Sequence, residues 1–125
     1  MRLPALALLI LLAAAPARDR VPAATPVGPP LTCLRLADIR ESRVRSDRII
    51  DFYTHSRGRV YRVELPQACP QLGFEQRFSY ATSLDRLCST DIITVLQQTG
   101  GSLDRGASCG MGQFQPVTLA GAGAR

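Results

Sequence analysis

The chain has no lysine, no tryptophan and one histidine, and its cysteines never stand close together. Without lysine, the glycine-rich stretch "GGSLDRGASCGMG" cannot be a phosphate loop of the G-x-x-x-x-G-K type. Scarce aromatics leave few platforms on which nucleic acid bases could stack, so nucleic acid is not an expected partner. A single imidazole, His55, makes any Ser-His-Asp or Cys-His arrangement depend on one residue. The lack of C-x-x-C and of close cysteine pairs argues against a redox motif and against zinc. No metal or cofactor is expected. No apolar run reaches the roughly 20 residues a membrane helix needs.

A shorter apolar run is present at the start. "MRLPALALLILLAAAPA" places Arg2 before the stretch Leu3 to Ala15, and Ala15-Pro16-Ala17 offers small residues for cleavage. This is the layout of a secretory signal peptide spanning residues 1–17, with a periplasmic or secreted destination. Export changes the meaning of Cys33, Cys69, Cys88 and Cys109. An even number in an oxidising compartment reads as two disulfides. Four cysteines allow three connectivities. Cys69 with Cys88 would close a local loop, and Cys33 with Cys109 would tie the first strand to the last if the sheet curls into a barrel. Pairings of Cys33 with Cys69 or Cys88 stay open.

Residues 18–30, "RDRVPAATPVGPP", are rich in Pro and Ala and aperiodic, and read as a disordered lead-in. Residues 120–125 read as a flexible tail. The domain between them, 31–119, is small enough for its core to be marginal, which gives the disulfides an energetic reason. It reads as a run of short strands. Leu34 and Leu36 alternate with Arg35. Val44, Ile50 and Phe52 share one parity, with Asp51, Tyr53 and His55 on the other. Gly58 then marks a turn before "VYRVEL", which completes a hairpin. "FEQRFSY" reads as a strand with Phe74, Phe78 and Tyr80 on one face, and Ser83–Leu87 as one helical turn. Ile92–Gln98 has helix-cap signals at either end, but four consecutive β-branched residues favour a strand. "GMGQFQPVTL" closes the domain. The expectation is a mainly β fold, a five- to six-stranded antiparallel barrel or open roll stapled by two disulfides.

Charge is unevenly spread. Eight Arg and four acids lie between Arg35 and Arg62, and four Arg and five acids follow from Val63 onward. The ordinary reading is a solvated face with Arg pointing outward along strands. A binding face, if there is one, belongs to this basic half, with Arg45, Arg57, Arg59 and Arg62 as its candidates and an anionic envelope component or another envelope protein as its partner.

Catalytic constellations are thin. Asp51 and His55 share a strand parity but lie about 13 Å apart along it, too far for a hydrogen bond. Asp51, Glu64, Asp85 and Asp91 do not form an evident acid pair of the glycosidase kind. Asp47 with Arg48 and Asp85 with Arg86 read as surface charges, and Asp91 as a turn cap.

The segments "CLRLADIR", "RVRSDRIIDFY", "YRVELPQACPQL", "LCSTDIITV" and "CGMGQFQPV" together resemble a small family of exported four-cysteine proteins of sphingomonads and related proteobacteria, a domain of unknown function. The resemblance covers roughly Cys33 to Val117. It implies export, the cysteine framework and a mostly β fold, and it supplies no catalytic residues. The functional expectation is a non-catalytic periplasmic binding or accessory module. The alternative is a small periplasmic hydrolase or lyase, which would need His55 gathered with acids in a deep pocket.

Overall fold

The computed structural model describes residues 21–82 and 84–121. The expected signal peptide, residues 1–17, lies outside the described residues. Among the described residues, ten strands form three antiparallel sheets. They are β1 (Ala24–Pro26), β2 (Cys33–Arg35), β3 (Ile39–Val44), β4 (Ile49–Thr54), β5 (Val60–Glu64), β6 (Phe78–Tyr80), β7 (Arg86–Cys88), β8 (Ile92–Thr99), β9 (Ser102–Gly110) and β10 (Gln115–Leu119). A 3-10 helix, Leu36–Asp38, follows β2, and one short helix, α1 (Leu72–Glu75), lies between β5 and β6. The large sheet runs β1-β10-β5-β4-β3, the second β6-β8-β9, and the third pairs β2 with β7. The sheets are open, so the fold is mainly β but is neither a closed barrel nor a single roll.

The core lies between the large sheet and the three-stranded sheet. Ile50, Phe52 and Val63 come from the first, and Ile93 and Val95 from the second. Phe52 joins the two layers, meeting Phe114 edge-on at 5.5 Å and Phe78 at 6.3 Å between ring centroids. Offset and edge contacts of this kind suit the ring quadrupole. Gly112 is needed where the chain returns to this core, because a Cβ there would lie 2.4 Å from the Glu64 carbonyl oxygen.

Several expectations change. Within the segment expected to be a disordered lead-in, Ala24–Pro26 pairs with β10, and the backbone N–H of Ala120 reaches the Ala23 carbonyl at 2.7 Å. Proline is tolerated there because β1 is an edge strand. The continuous run expected from Val44 to His55 is broken into β3 and β4. Ser46 Oγ accepts from the N–H groups of Arg48 and Ile49, and Arg45 N–H closes the turn on Ile49 O at 2.8 Å. "FEQRFSY" is split in the same way. Gln71 N-terminal to α1 and Gln76 at its end both adopt positive φ, and Phe74 is 81 % exposed instead of facing inward with Phe78. Arg86 and Leu87, the end of the expected helical turn, are instead extended in β7 and pair with β2. The glycine-rich stretch is largely strand β9, whereas Ile92–Gln98 is a strand as expected, within β8 beside it.

Both disulfides form, but not with the expected partners. Cys33 bridges Cys88, and Cys69 bridges Cys109. Because residues 86–88 are extended, Cys88 stands directly opposite Cys33 in the β2–β7 register, with Cα atoms 4.0 Å apart. Cys69 is fully buried, held by its N–H on the Asp47 carbonyl at 2.7 Å, and so reaches β9 across the core. The barrel closure that would have brought Cys33 to Cys109 does not occur. First and last strands of the large sheet do pair, but the first is Ala24–Pro26.

Candidate functional site

Two rows of side chains cross the outer face of the large sheet, the face turned away from the core. Backbone register aligns Glu41, Tyr53, Val60, Val117 and Pro26 across five strands. One pleat along, it aligns Arg43, Asp51, Arg62 and Gln115. The period of two that separates core from solvent on each strand is what sorts residues into these rows.

The second row contains a closed electrostatic unit. Asp51 is completely buried, and neither carboxylate oxygen is free. Arg62 Nε donates to Oδ1 at 2.8 Å, its second nitrogen donates to Oδ2 at 3.0 Å, and Arg45 Nε donates to Oδ2 at 2.9 Å. Arg45 also donates to the Tyr53 hydroxyl at 2.9 Å. The Arg45 and Arg62 side chains keep only 16 % and 14 % exposure. Fork-shaped guanidiniums suit such shared recognition of one carboxylate. Asp51 and Tyr53 were expected on a solvent-facing parity. They are buried because β4 is flanked on both sides by strands and the two guanidiniums close over it.

Above the first row lies a groove of about 790 Å³. Its floor is apolar, formed by Val60, Val117 and Leu119, with the half-exposed Val27 at its rim and Tyr53 also lining it. Around it stand Arg40, Arg43, Arg57 and Arg59, against one acid, Glu41. Two devices aim these arginines. A register shift between Ile39 and Glu41 places a bulge at Arg40. The extra residue reverses the parity, so Arg40 and Arg43, three positions apart, both reach the Tyr53 ring, at 5.9 and 4.8 Å from its centroid. The second device is the β4–β5 turn, Ser56–Arg59, with Arg59 N–H on Ser56 O at 3.0 Å. Arg57 and Gly58 both have positive φ, 53° and 63°, as a type I′ turn requires. Thr54 anchors the tip by donating its N–H and hydroxyl to the Arg59 carbonyl, at 3.1 and 2.8 Å. Glu41 is shared between Arg40 and Arg43 at 3.6 and 3.3 Å.

The four arginines expected to form a binding face therefore divide. Arg57 and Arg59 line the groove, whereas Arg45 and Arg62 are turned onto Asp51. Arg40 and Arg43 were missed, since nothing in "DIRESRV" reveals a bulge or its register against Tyr53. His55 is exposed at the strand end, its backbone N–H on Asp38 O at 2.9 Å. Among the described residues no hydrogen bond joins its ring to a carboxylate. Asp91 caps its turn by accepting from Cys88 N–H at 2.7 Å, and Asp85 makes an exposed 3.9 Å pair with Arg86. Asp47 is exposed, as expected of a surface charge, and its carboxylate also accepts from Gly73 N–H at 2.7 Å in the first turn of α1. Among the described residues no helix is long and apolar enough to cross a membrane.

Comparison with protein-family models, with curated proteins and with solved structures finds no match. The resemblance to the exported four-cysteine family rests on the quoted segments alone.

Proposed function

We propose that this chain is an exported, non-catalytic binding or accessory module of the cell envelope, and that its site is the groove on the outer face of the large sheet. The observation that carries the reading is the charge around that groove. Four guanidiniums face one carboxylate, and the nearby Asp51 is already saturated by Arg45 and Arg62. The uncompensated charge favours an anionic partner. Two disulfides fit an oxidising compartment and support export, as does the apolar run closed by Ala15-Pro16-Ala17.

The reading is tested on protein recovered from its native envelope fraction, with disulfides intact. Mass spectrometry should find a chain that starts near Arg18. Affinity for acidic polysaccharide and for anionic lipid should fall with added salt, and again when Arg57 and Arg59 are both replaced by Ser. An intact Met1 would overturn export. Binding indifferent to both salt and the substitutions would overturn the site.

A further inference from the structure

We infer that the groove takes a small amphipathic anion, one carboxylate or phosphate head on a single alkyl chain, captured as a free molecule. The inference rests on the binding-module reading and gives it a ligand class. It follows from how polarity is arranged in the groove. The strip of Val60, Val117 and Leu119 is aliphatic, with the half-exposed Val27 at its rim, and Arg40, Arg43, Arg57 and Arg59 line the same groove. The one aromatic ring, Tyr53, is capped by Arg40 and Arg43 and itself buried, so it is withdrawn from stacking on a sugar or a planar ligand. Those two stacked guanidiniums are held over the ring before any ligand arrives, which lowers the ordering cost of binding a head group. Glu41 occupies them only partly, through one oxygen at 3.3 to 3.6 Å. A volume of about 790 Å³ falls within the roughly 300–1,000 Å³ of small-molecule pockets. A single alkyl chain covers the aliphatic strip of Val60, Val117 and Leu119, with the half-exposed Val27 at its rim, while its head group meets the guanidiniums.

Calorimetric titration of the disulfide-bonded protein with monomeric butanoate, octanoate and dodecanoate, and with octyl phosphate, tests this. Affinity should rise about fourfold for each added methylene until the floor is covered. Arg43→Gln should weaken octanoate and octyl phosphate at least about tenfold. Val27→Gln should flatten the dependence on chain length without abolishing head-group binding. Both positions are exposed enough to change without unfolding, and Arg40→Gln, with circular dichroism on all three variants, separates lost contacts from a lost fold. Octanol binding as tightly as octanoate would overturn the inference, as would inorganic phosphate or butanoate binding as tightly as dodecanoate. So would sedimentation with anionic phospholipid vesicles by a protein that ignores monomeric alkanoates. A protein that binds acidic polysaccharide through Arg57 and Arg59 but no alkanoate loses this inference and keeps the wider reading. One that binds neither loses both.

Discussion

Asp51 shows most clearly what a residue's neighbours do to its meaning. A carboxylate in the middle of a sheet, with no exposure, is costly unless paired and hydrogen-bonded. Here three guanidinium nitrogens meet its two oxygens. Asp51→Asn would leave two largely buried arginines facing one neutral amide. We expect a loss of about 3 kcal/mol, read as a shift in the denaturation midpoint with an unchanged slope. Tyr53→Phe removes only the hydroxyl that Arg45 reaches, and should cost about 1 kcal/mol. Equal effects of the two substitutions would show that the carboxylate is not the hub. Alternation along "IIDFYT" correctly separates Ile50 and Phe52 from Asp51 and Tyr53. It cannot show that the second set is also covered, because that cover comes from Arg45 and Arg62 on other segments. Sequence periodicity reports faces, and burial of both faces is a tertiary fact.

At the scale of elements, the hairpin β4–β5 was legible and the devices that shape the groove were not. Alternating residues on either side of Gly58 suffice to place the turn. The residue before it, Arg57, is a poor choice for a left-handed position, where Asn-Gly is the favoured pair and the chain contains no Asn at all. Arg57→Asn relieves that strain and should raise stability by up to about 1 kcal/mol. The same substitution deletes a groove charge, so affinity for anions should fall while the melting temperature rises. Gly58→Ala does the reverse to the turn, since its φ of 63° disfavours any Cβ. A melting temperature lowered by Arg57→Asn would mean that the arginine holds the tip through its side chain. The bulge at Arg40 had no comparable signal. Bulges are set by how two strands pair, and the pairing of Glu41 with Tyr53 spans residues that carry no turn or breaker motif between Ile39 and Val44. Short elements such as α1 and β7 escaped for a related reason. Their three or four residues are too few to show a period, and Asp47 or Cys33 elsewhere in the chain decides their conformation.

For the whole molecule, the two disulfides matter most, and their topology changes what removing each should do. The bridges interleave along the chain: Cys69 lies inside the loop closed by Cys33–Cys88, and Cys109 lies outside it. Had Cys69 joined Cys88, one loop would have nested inside the other, and each staple would have held mostly its own segment. Interleaved, one clamps β2 to β7, and the other ties the loop after β5 to β9 and so to the β8–β9 layer. The loops span 55 and 40 residues in sequence, which gives each bridge about 4 kcal/mol in the loop-entropy model. A domain of this size is stable by roughly 5–15 kcal/mol in total, so one bridge is a large share and two approach the whole. Replacing Cys33 and Cys88 together by Ala should therefore leave a folded protein that unfolds at markedly lower denaturant. Replacing Cys69 and Cys109 should cost more, because Cys69 is fully buried beside Leu72 in the core and its sulfur leaves a cavity. Removing all four should abolish cooperative unfolding. Denaturant titration of the three variants, monitored by circular dichroism, decides between these outcomes. A protein that still unfolds cooperatively without either bridge would show that the aromatic contacts of Phe52 with Phe78 and Phe114 hold the sheets together unaided.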